Sequence, residues 1–250
     1  MLLKDRTAIV TGAASGIGRA VALAYAREGA RVVVSDVAEE GGRETVRLVE
    51  RATKGAQAVF VKADAASPED HERLVRTAVD RWGALHIACN NAGIGGEMNP
   101  VAEMSVAGWQ QVIGINLSGV FYAMRAQIPR MLEAGGGAIV NMASILGQVA
   151  TRGAAGYVAA KHGLLGLTKT AGLEYAARGV RVNAVGPAYI DTPLLEGLSA
   201  KVREGLVALH PVGRLGRAEE VAELVVWLSS DAASFATGAY YPVDGGYLAQ

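Results

Sequence analysis

The stretch TAIVTGAASGIG, Thr7 to Gly18, is followed directly by Arg19-Ala20-Val21-Ala22-Leu23-Ala24-Tyr25-Ala26. A short β-branched run that enters a glycine-rich turn and then a helix-forming segment opens a strand–turn–helix unit. Glycines at that junction let the chain turn sharply and let its backbone approach a pyrophosphate at the positive end of the helix. The spacing is G-x-x-x-G-x-G, with Gly12, Gly16 and Gly18, rather than the better-known G-x-G-x-x-G. Many glycine-rich turns are only turns, and it is the position between a first strand and a first helix that points to phosphate. Eighteen residues past Gly18, at the end of the next apolar run, stands Asp36. An acid there accepts hydrogen bonds from adenosine ribose hydroxyls; its alternative is a turn or N-cap aspartate. A 2'-phosphate about 4 Å from this carboxylate costs up to ~4 kcal/mol at an effective dielectric near 20, before screening. Because Val37 follows in place of an arginine, NAD(H) is favoured over its phosphorylated form.

Outward from this unit, β-branched runs recur at Ala58 to Lys62, Leu85 to Asn90, Ala138 to Asn141, Val180 to Val185 and Ala239 to Val243, besides Thr7 to Thr11 and Arg31 to Ser35. The segments between them are long enough for crossover helices. This rhythm predicts a doubly wound α/β fold, with a mostly parallel seven-stranded Rossmann-type sheet and helices on both faces. Runs such as Val32-Val33-Val34 suit strands buried on both sides. Gly29, Gly83 and Gly179 follow helical stretches, where a left-handed C-cap is easiest for glycine, and Ser67-Pro68-Glu69-Asp70 reads as a helix start. Without an internal repeat or linker, residues 1–250 read as a single domain.

Composition narrows the function classes. An apolar fraction of 51% and 32 glycines fit a large core with many tight turns. The 24 Lys and Arg residues balance 24 Asp and Glu without a block of either sign, which argues against nucleic acid and anionic membrane as partners. The single cysteine, Cys89, lies in an apolar run and has no partner for a disulfide or a metal site, so no metal is expected. The opening MLLKDR has charges too early for a signal peptide, and a cytoplasmic protein is the expectation.

Between Ser144 and Lys161 lies SILGQVATRGAAGYVAAK. If the run after Thr151 is helical, Tyr157 and Lys161 stand at i and i+4 on one face. A free tyrosine titrates near pKa ~10, and an adjacent cation favours its phenolate; lowering it by about three units takes roughly 4 kcal/mol. That is the logic of a tuned proton donor and acceptor. An isolated Tyr-x-x-x-Lys is more often an exposed lysine beside a half-buried aromatic.

The ordered set changes that weighting: Thr11 to Gly18, Asp64 after the third strand, Asn90-Asn91-Ala92-Gly93 after the fourth, Asn116 within a long helix, Ser144 after the fifth, then Tyr157 and Lys161. With these motifs the chain resembles the short-chain dehydrogenase/reductase family over essentially its whole length. The resemblance implies that Tyr157 gives or takes the hydroxyl proton, and that Lys161 holds the nicotinamide ribose and lowers the tyrosine pKa. It implies further that Ser144 orients the substrate oxygen, and that Asn116 distorts its helix and holds a water that links Lys161 to solvent. It assigns Gly12, Ser15, Gly16, Ile17 and Gly18 to the pyrophosphate turn, Asp36 to the ribose, and Asp64 and Ala65 to the adenine. Asn91, Ala92 and Gly93 are expected in the cofactor cleft, where Asn90 either joins them or ties neighbouring strands together. Pro187, Ile190 and Thr192 are expected to cap the nicotinamide. Here the family usually has glycine where this chain has Ala188, and alanine tolerates positive φ poorly.

The reaction so implied is hydride transfer between NAD(H) and a secondary alcohol or ketone. Residues 189–215 carry the apolar positions Leu194, Leu195, Leu198, Val202, Leu206 and Val207, which form either a lid over substrate or packed core. Arg152 is either a ligand for an acidic substrate or an exposed loop residue. A homotetramer is implied by the resemblance and accords with the general preference for closed symmetric assemblies. The competing readings are an NADPH-dependent 3-oxoacyl-type reductase and a dinucleotide-binding regulatory protein without turnover. Asp36 argues against the first, and the intact Ser144, Tyr157 and Lys161 argue against the second.

Overall fold

A computed structural model describes all 250 residues, with the side chain of Leu194 outside the described ones. Nine strands and eight α-helices alternate along the chain. The order is β1 (Thr7–Thr11), α1 (Gly16–Arg27), β2 (Arg31–Asp36), α2 (Glu39–Ala52), β3 (Ala58–Lys62), α3 (Pro68–Trp82) and β4 (Ile87–Asn90). There follow α4 (Val106–Ile113), α5 (Gly119–Glu133), β5 (Gly137–Met142), α6 (Ala155–Tyr175), β6 (Val180–Pro187), β7 (Ile190–Asp191), α7 (Ala200–Ala208), β8 (Gly216–Arg217), α8 (Ala218–Ser229) and β9 (Tyr240–Val243).

Seven strands form one sheet in the order β3-β2-β1-β4-β5-β6-β9, every pairing parallel. The alternation of strand side chains explains why helices cover both faces. Val10, Val32 and Val34 point into a core shared with α1 and α8, while their neighbours Ile9 and Val33 point into a second core with α3 and α5. The strand order reverses between β1 and β4. A crevice opens there beyond the carboxyl ends of the strands, the place where open α/β sheets take ligands.

Two features depart from the sequence reading. β4 begins at Ile87 rather than Leu85, because the His86 ring takes the Thr7 N–H at 3.1 Å before the ladder opens with the Ala8–Ile87 pair. The two-residue strands β7 and β8 pair in parallel outside the main sheet and brace the segment between them. The cap readings hold: Gly29, Gly83 and Gly179 adopt φ of +91°, +85° and +81°, and the Ser67 hydroxyl accepts from the Asp70 N–H.

A buried amide network locks the crevice floor. The Asn90 carboxamide donates to Asn141 Oδ1 at 3.0 Å and to Gln127 Oε1 at 3.2 Å, and Gln127 donates back at 2.8 Å. Asn141 in turn donates to Thr168 Oγ1 at 3.0 Å, so β4, β5, α5 and α6 are joined through four side chains. Removing one member leaves the others unpaired in a low dielectric. Asn90→Ala is expected to lower unfolding free energy by about 2–4 kcal/mol in urea titrations. A loss under about 0.5 kcal/mol would show that the network does not stabilise the crevice floor.

Candidate active site

The glycine turn shows why it must be glycine. Gly12 sits at φ +63°, and a Cβ there would meet the Ala92 Cα at 2.8 Å; one at Gly18 would meet the Gly12 carbonyl oxygen at 2.1 Å. The turn is held from behind. Asn91 Nδ2 donates to the carbonyls of Thr11 (2.9 Å) and Gly12 (3.1 Å), while Thr11 Oγ1 accepts the N–H groups of Asn91 and Ala92 at 3.0 and 3.1 Å. Asn91 therefore supports the turn with its side chain directed into the backbone, not into the crevice. Thr11 was quoted in the motif without a part to play; its clasp between β1 and β4 appears only in three dimensions.

At the N-terminus of α1, Ser15 makes no side-chain cap, so the first-turn N–H groups are left to an anion. Asp36 Oδ2 accepts from the Ala14 N–H and Oδ1 from the Ala38 N–H, both at 2.9 Å. These bonds aim the carboxylate at a hollow lined by Gly12, Ser15, Asp64, Ala65, Ala92 and Gly93. The Arg19 guanidinium lies at this end too. Its donors go to the Ala14 carbonyl and, at 3.0 Å, to Thr45 Oγ1. Asp64 Oδ1 accepts from Ala66 N at 2.8 Å, and the Ala65 carbonyl pairs with His71 Nε2 at 2.9 Å. The sites expected for pyrophosphate, ribose and adenine thus lie in one trough. Gly-lined backbone, uncapped N–H groups and an anchored carboxylate fit a dinucleotide.

A second hollow of about 590 Å³ continues from the first: Gly93 and Ile94 line one, Gly95 and Gly96 the other. It brings together Ser144, Tyr157, Ile17, Pro187, Ile190 and Thr192. Ser144 follows β5 with extended backbone, and its hydroxyl accepts the Leu146 N–H at 3.1 Å while its carbonyl accepts from Tyr240 at 3.2 Å. Gly16 packs beneath Thr192, where an added Cβ would stand 3.3 Å from Thr192 Cβ. Ala188 lines the same hollow. It is not in the positive-φ region; the strain expected from the missing glycine does not arise, and its N–H donates to the Val243 carbonyl at 3.1 Å. Arg152 is exposed and outside the lining.

Lys161 lies one turn beyond Tyr157 on α6, 3% exposed, with its Nζ 5.4 Å from the Tyr157 ring centroid and donating to the Met142 carbonyl at 2.7 Å. Burial pushes its ammonium down to about 8. In the protein alone the expected lowering of the tyrosine is not found. Burial holds the Tyr157 phenol above its usual value, the Ser144 hydroxyl pulls the other way, and Tyr189 adds to the rise. The reason is physical: burial disfavours the charged form of both groups, so it raises the phenol while it pushes the neighbouring ammonium down.

Asn116 does not sit in a continuous α-helix. Gly114–Ser118 forms a π-helical turn between α4 and α5, and the fully buried Asn116 side chain clasps Ile94 through both its N–H (2.9 Å) and its carbonyl (2.7 Å). The helix distortion expected of this residue is present. A Cβ on Gly93 would lie 3.2 Å from Asn116 Oδ1 and 3.7 Å from Lys161 Nζ, so these three meet under the junction of the two hollows. Asn90, bound into the amide network, ties strands. Cys89 is buried with its thiol pushed up to about 12 by desolvation, as an inert core residue. Among the described residues no helix is long and apolar enough to cross a membrane.

A dinucleotide-shaped trough at the switch point of a parallel sheet, ending at a serine, a tyrosine and a lysine, defines the nicotinamide-dependent oxidoreductases of α/β type. The comparisons with known proteins agree. A family model described as "Enoyl-(Acyl carrier protein) reductase" matches residues 12–248. A cyclohexanol dehydrogenase of Acinetobacter sp. (strain SE19) is 51% identical over 98% of this chain and 96% of its own length. A cis-4-hydroxycyclohexanecarboxylate dehydrogenase of Sinomonas cyclohexanicum is 47% identical over 98% and 97%. The crystal structure of a levodione reductase superposes with a TM-score of 0.95 at 36% identity, covering 99% of each chain. The chain belongs to the short-chain dehydrogenase/reductase family.

The lysine yields a stability test. Its folded pKa lies below its unfolded value near ~10.4, so the unfolded chain binds the extra proton between about pH 8 and ~10.4 and stability rises with pH through that window. Lys161→Met removes this term. The wild type is expected to gain on the order of 3 kcal/mol relative to the variant between pH 8 and ~10.4 in urea titrations. A pH-independent difference would contradict a depressed lysine.

Proposed function

We propose that the protein is an NAD(H)-dependent dehydrogenase of uncharged alicyclic secondary alcohols and their ketones. The observation that carries the reading is the convergence of Ser144, Tyr157 and the buried Lys161 where the dinucleotide trough meets an apolar hollow. In the oxidising direction Ser144 holds the carbinol oxygen and Tyr157 accepts its proton. Bound NAD supplies the hydride acceptor and, in its oxidised form, a positive charge that favours the phenolate. Lys161, its pKa pushed down to about 8 by burial, holds the ribose and passes the proton toward solvent past the Asn116 turn. Gly12, Ser15 and the first turn of α1 hold the pyrophosphate, Asp64 and Ala65 the adenine, and Pro187, Ile190 and Thr192 the nicotinamide.

Cofactor choice rests on Asp36. Its carboxylate is anchored at the ribose end by the Ala14 and Ala38 N–H groups, and the Arg19 guanidinium at that end donates to Ala14, Thr45 and Gly41. The substrate class rests on the second hollow, whose described lining includes no charged side chain. The names of the relatives, two of which act on cyclohexane rings, support an alicyclic substrate. Residues 189–215 serve as the lid: Leu195, Leu198, Val202 and Leu206 line the hollow, and no residue of α7 is buried in the core.

The assembly is proposed to be a homotetramer. Val106, Phe121 and Leu173, on α4, α5 and α6, are 73%, 47% and 84% exposed and would be covered in such an assembly. Sedimentation at micromolar concentration should give four times the 25.9 kDa chain mass, and a monomer would refute it.

Tyr157→Phe is expected to reduce cyclohexanol oxidation at least about 10³-fold while NADH affinity stays within about threefold of wild type. NADPH should bind at least about 100-fold more weakly than NADH in fluorescence titration. An active phenylalanine variant, or equal affinities for the two cofactors, would overturn the corresponding assignment.

A further inference from the structure

One polar group on the wall of the substrate hollow has no task in hydride transfer: the phenol of Tyr189. It stands between β6 and β7 and lines the hollow with Ser144 and Tyr157. Among the described residues its hydroxyl has no hydrogen-bond partner, and the atom is not sealed from solvent.

The ring itself is firmly mounted. Its backbone N–H donates to His210 Nε2 at 3.4 Å, and the imidazole meets the phenol edge-on at 5.9 Å and 81°. Tyr247 leans on it at 6.3 Å and also contacts His210 at 5.7 Å, closing an aromatic triangle. His210, 3% exposed, is fixed by its Nδ1 donating to the Leu206 carbonyl at 2.8 Å, on the helix that lines the hollow. Behind Tyr247 the chain end is pinned by Asp244, whose carboxylate accepts the N–H groups of Gly246 and Leu248 at 3.0 Å each. The side chain therefore loses little freedom on binding a ligand. A firmly mounted phenol with an unpaired hydroxyl on a largely apolar lining is a means by which a site tells a substrate carrying a polar substituent from one without it. Tyr189 and Tyr157 line the same hollow, and the Tyr189 phenol adds to the rise of the Tyr157 pKa.

Resting on the alcohol dehydrogenase reading above, we propose that the Tyr189 hydroxyl hydrogen-bonds a second oxygen on the substrate ring. The preferred substrate is then an alicyclic diol or hydroxyketone, in which one oxygen engages Ser144 and Tyr157 and the other engages Tyr189. Reaction balance is unchanged: the carbinol loses a hydride to the nicotinamide and a proton to Tyr157, while the second oxygen stays intact.

The test compares kcat/KM of the full chain with NAD on cyclohexanol and on the cyclohexane-1,2-, 1,3- and 1,4-diols, for wild type and Tyr189→Phe. Wild type is expected to prefer its best diol over cyclohexanol by about tenfold or more, and the variant to lose that preference. The diol-to-monoalcohol ratio is insensitive to a merely structural role, which would lower both alike. Equal losses on both substrates, or an unchanged ratio, would overturn the inference alone. A wild type that binds NADH yet oxidises none of these alcohols would overturn the dehydrogenase reading and this inference with it.

Discussion

A lysine carried into the interior governs this structure. Lys161 is buried, its ammonium given to the Met142 carbonyl at the end of β5 and its pKa pushed down to about 8. Among the described residues nothing pairs it with a carboxylate, so the fold carries a desolvation cost of a kind concentrated at functional sites. The cost has a structural use as well. The bond to Met142 ties α6 to the end of β5, with Tyr157 one turn earlier on the same helix and Ser144 just past the strand. Tyr157, Ser144 and Lys161 thus share one reference in the fold.

The cofactor end answers to a different constraint, close approach of backbones. Gly18 touches the Gly12 carbonyl, and Thr11 and Asn91 bind the turn to the end of β4 through four hydrogen bonds. Because β1 and β4 flank the reversal of strand order, this clasp also defines the crevice. Asn116 performs the matching service on the other side by holding Ile94 across the π-turn. The two ends meet at residues 93–96, where the trough becomes the substrate hollow. On the hollow's outer wall, α7 contributes the apolar Val202 and Leu206 and has no buried residue.

Much of this was legible in the chain because it rests on local rules. Two-faced apolar strands, glycines past helix ends and a Ser-Pro helix start each declare themselves within a few residues, and the seven-stranded sheet follows from their alternation. Ser144, Tyr157 and Lys161 were readable as an ordered set. What escaped depends on contacts distant in sequence. β7 and β8 are too short for a period; the Thr11 clasp joins residues eighty positions apart; the inward turn of Asn91 and the Tyr189–His210–Tyr247 triangle exist only after folding. Ala188 was expected to be strained by analogy with glycine, yet its backbone stays outside the positive-φ region. The simplest electrostatic argument, a cation lowering a neighbouring phenol, omitted the effect of burial on the cation itself.

On the proposed function, the buried phenol of Tyr157 keeps its proton in the free protein and would ionise at lower pH with an oxidised nicotinamide bound. The direct measurement is the phenolate difference absorbance of wild type minus Tyr157→Phe across pH, with and without saturating NAD. The account predicts ionisation above the ordinary tyrosine range in the free protein, moving to lower pH when NAD is bound. A Tyr157 that titrates at the same pH in both states, or below the ordinary range without cofactor, would contradict it.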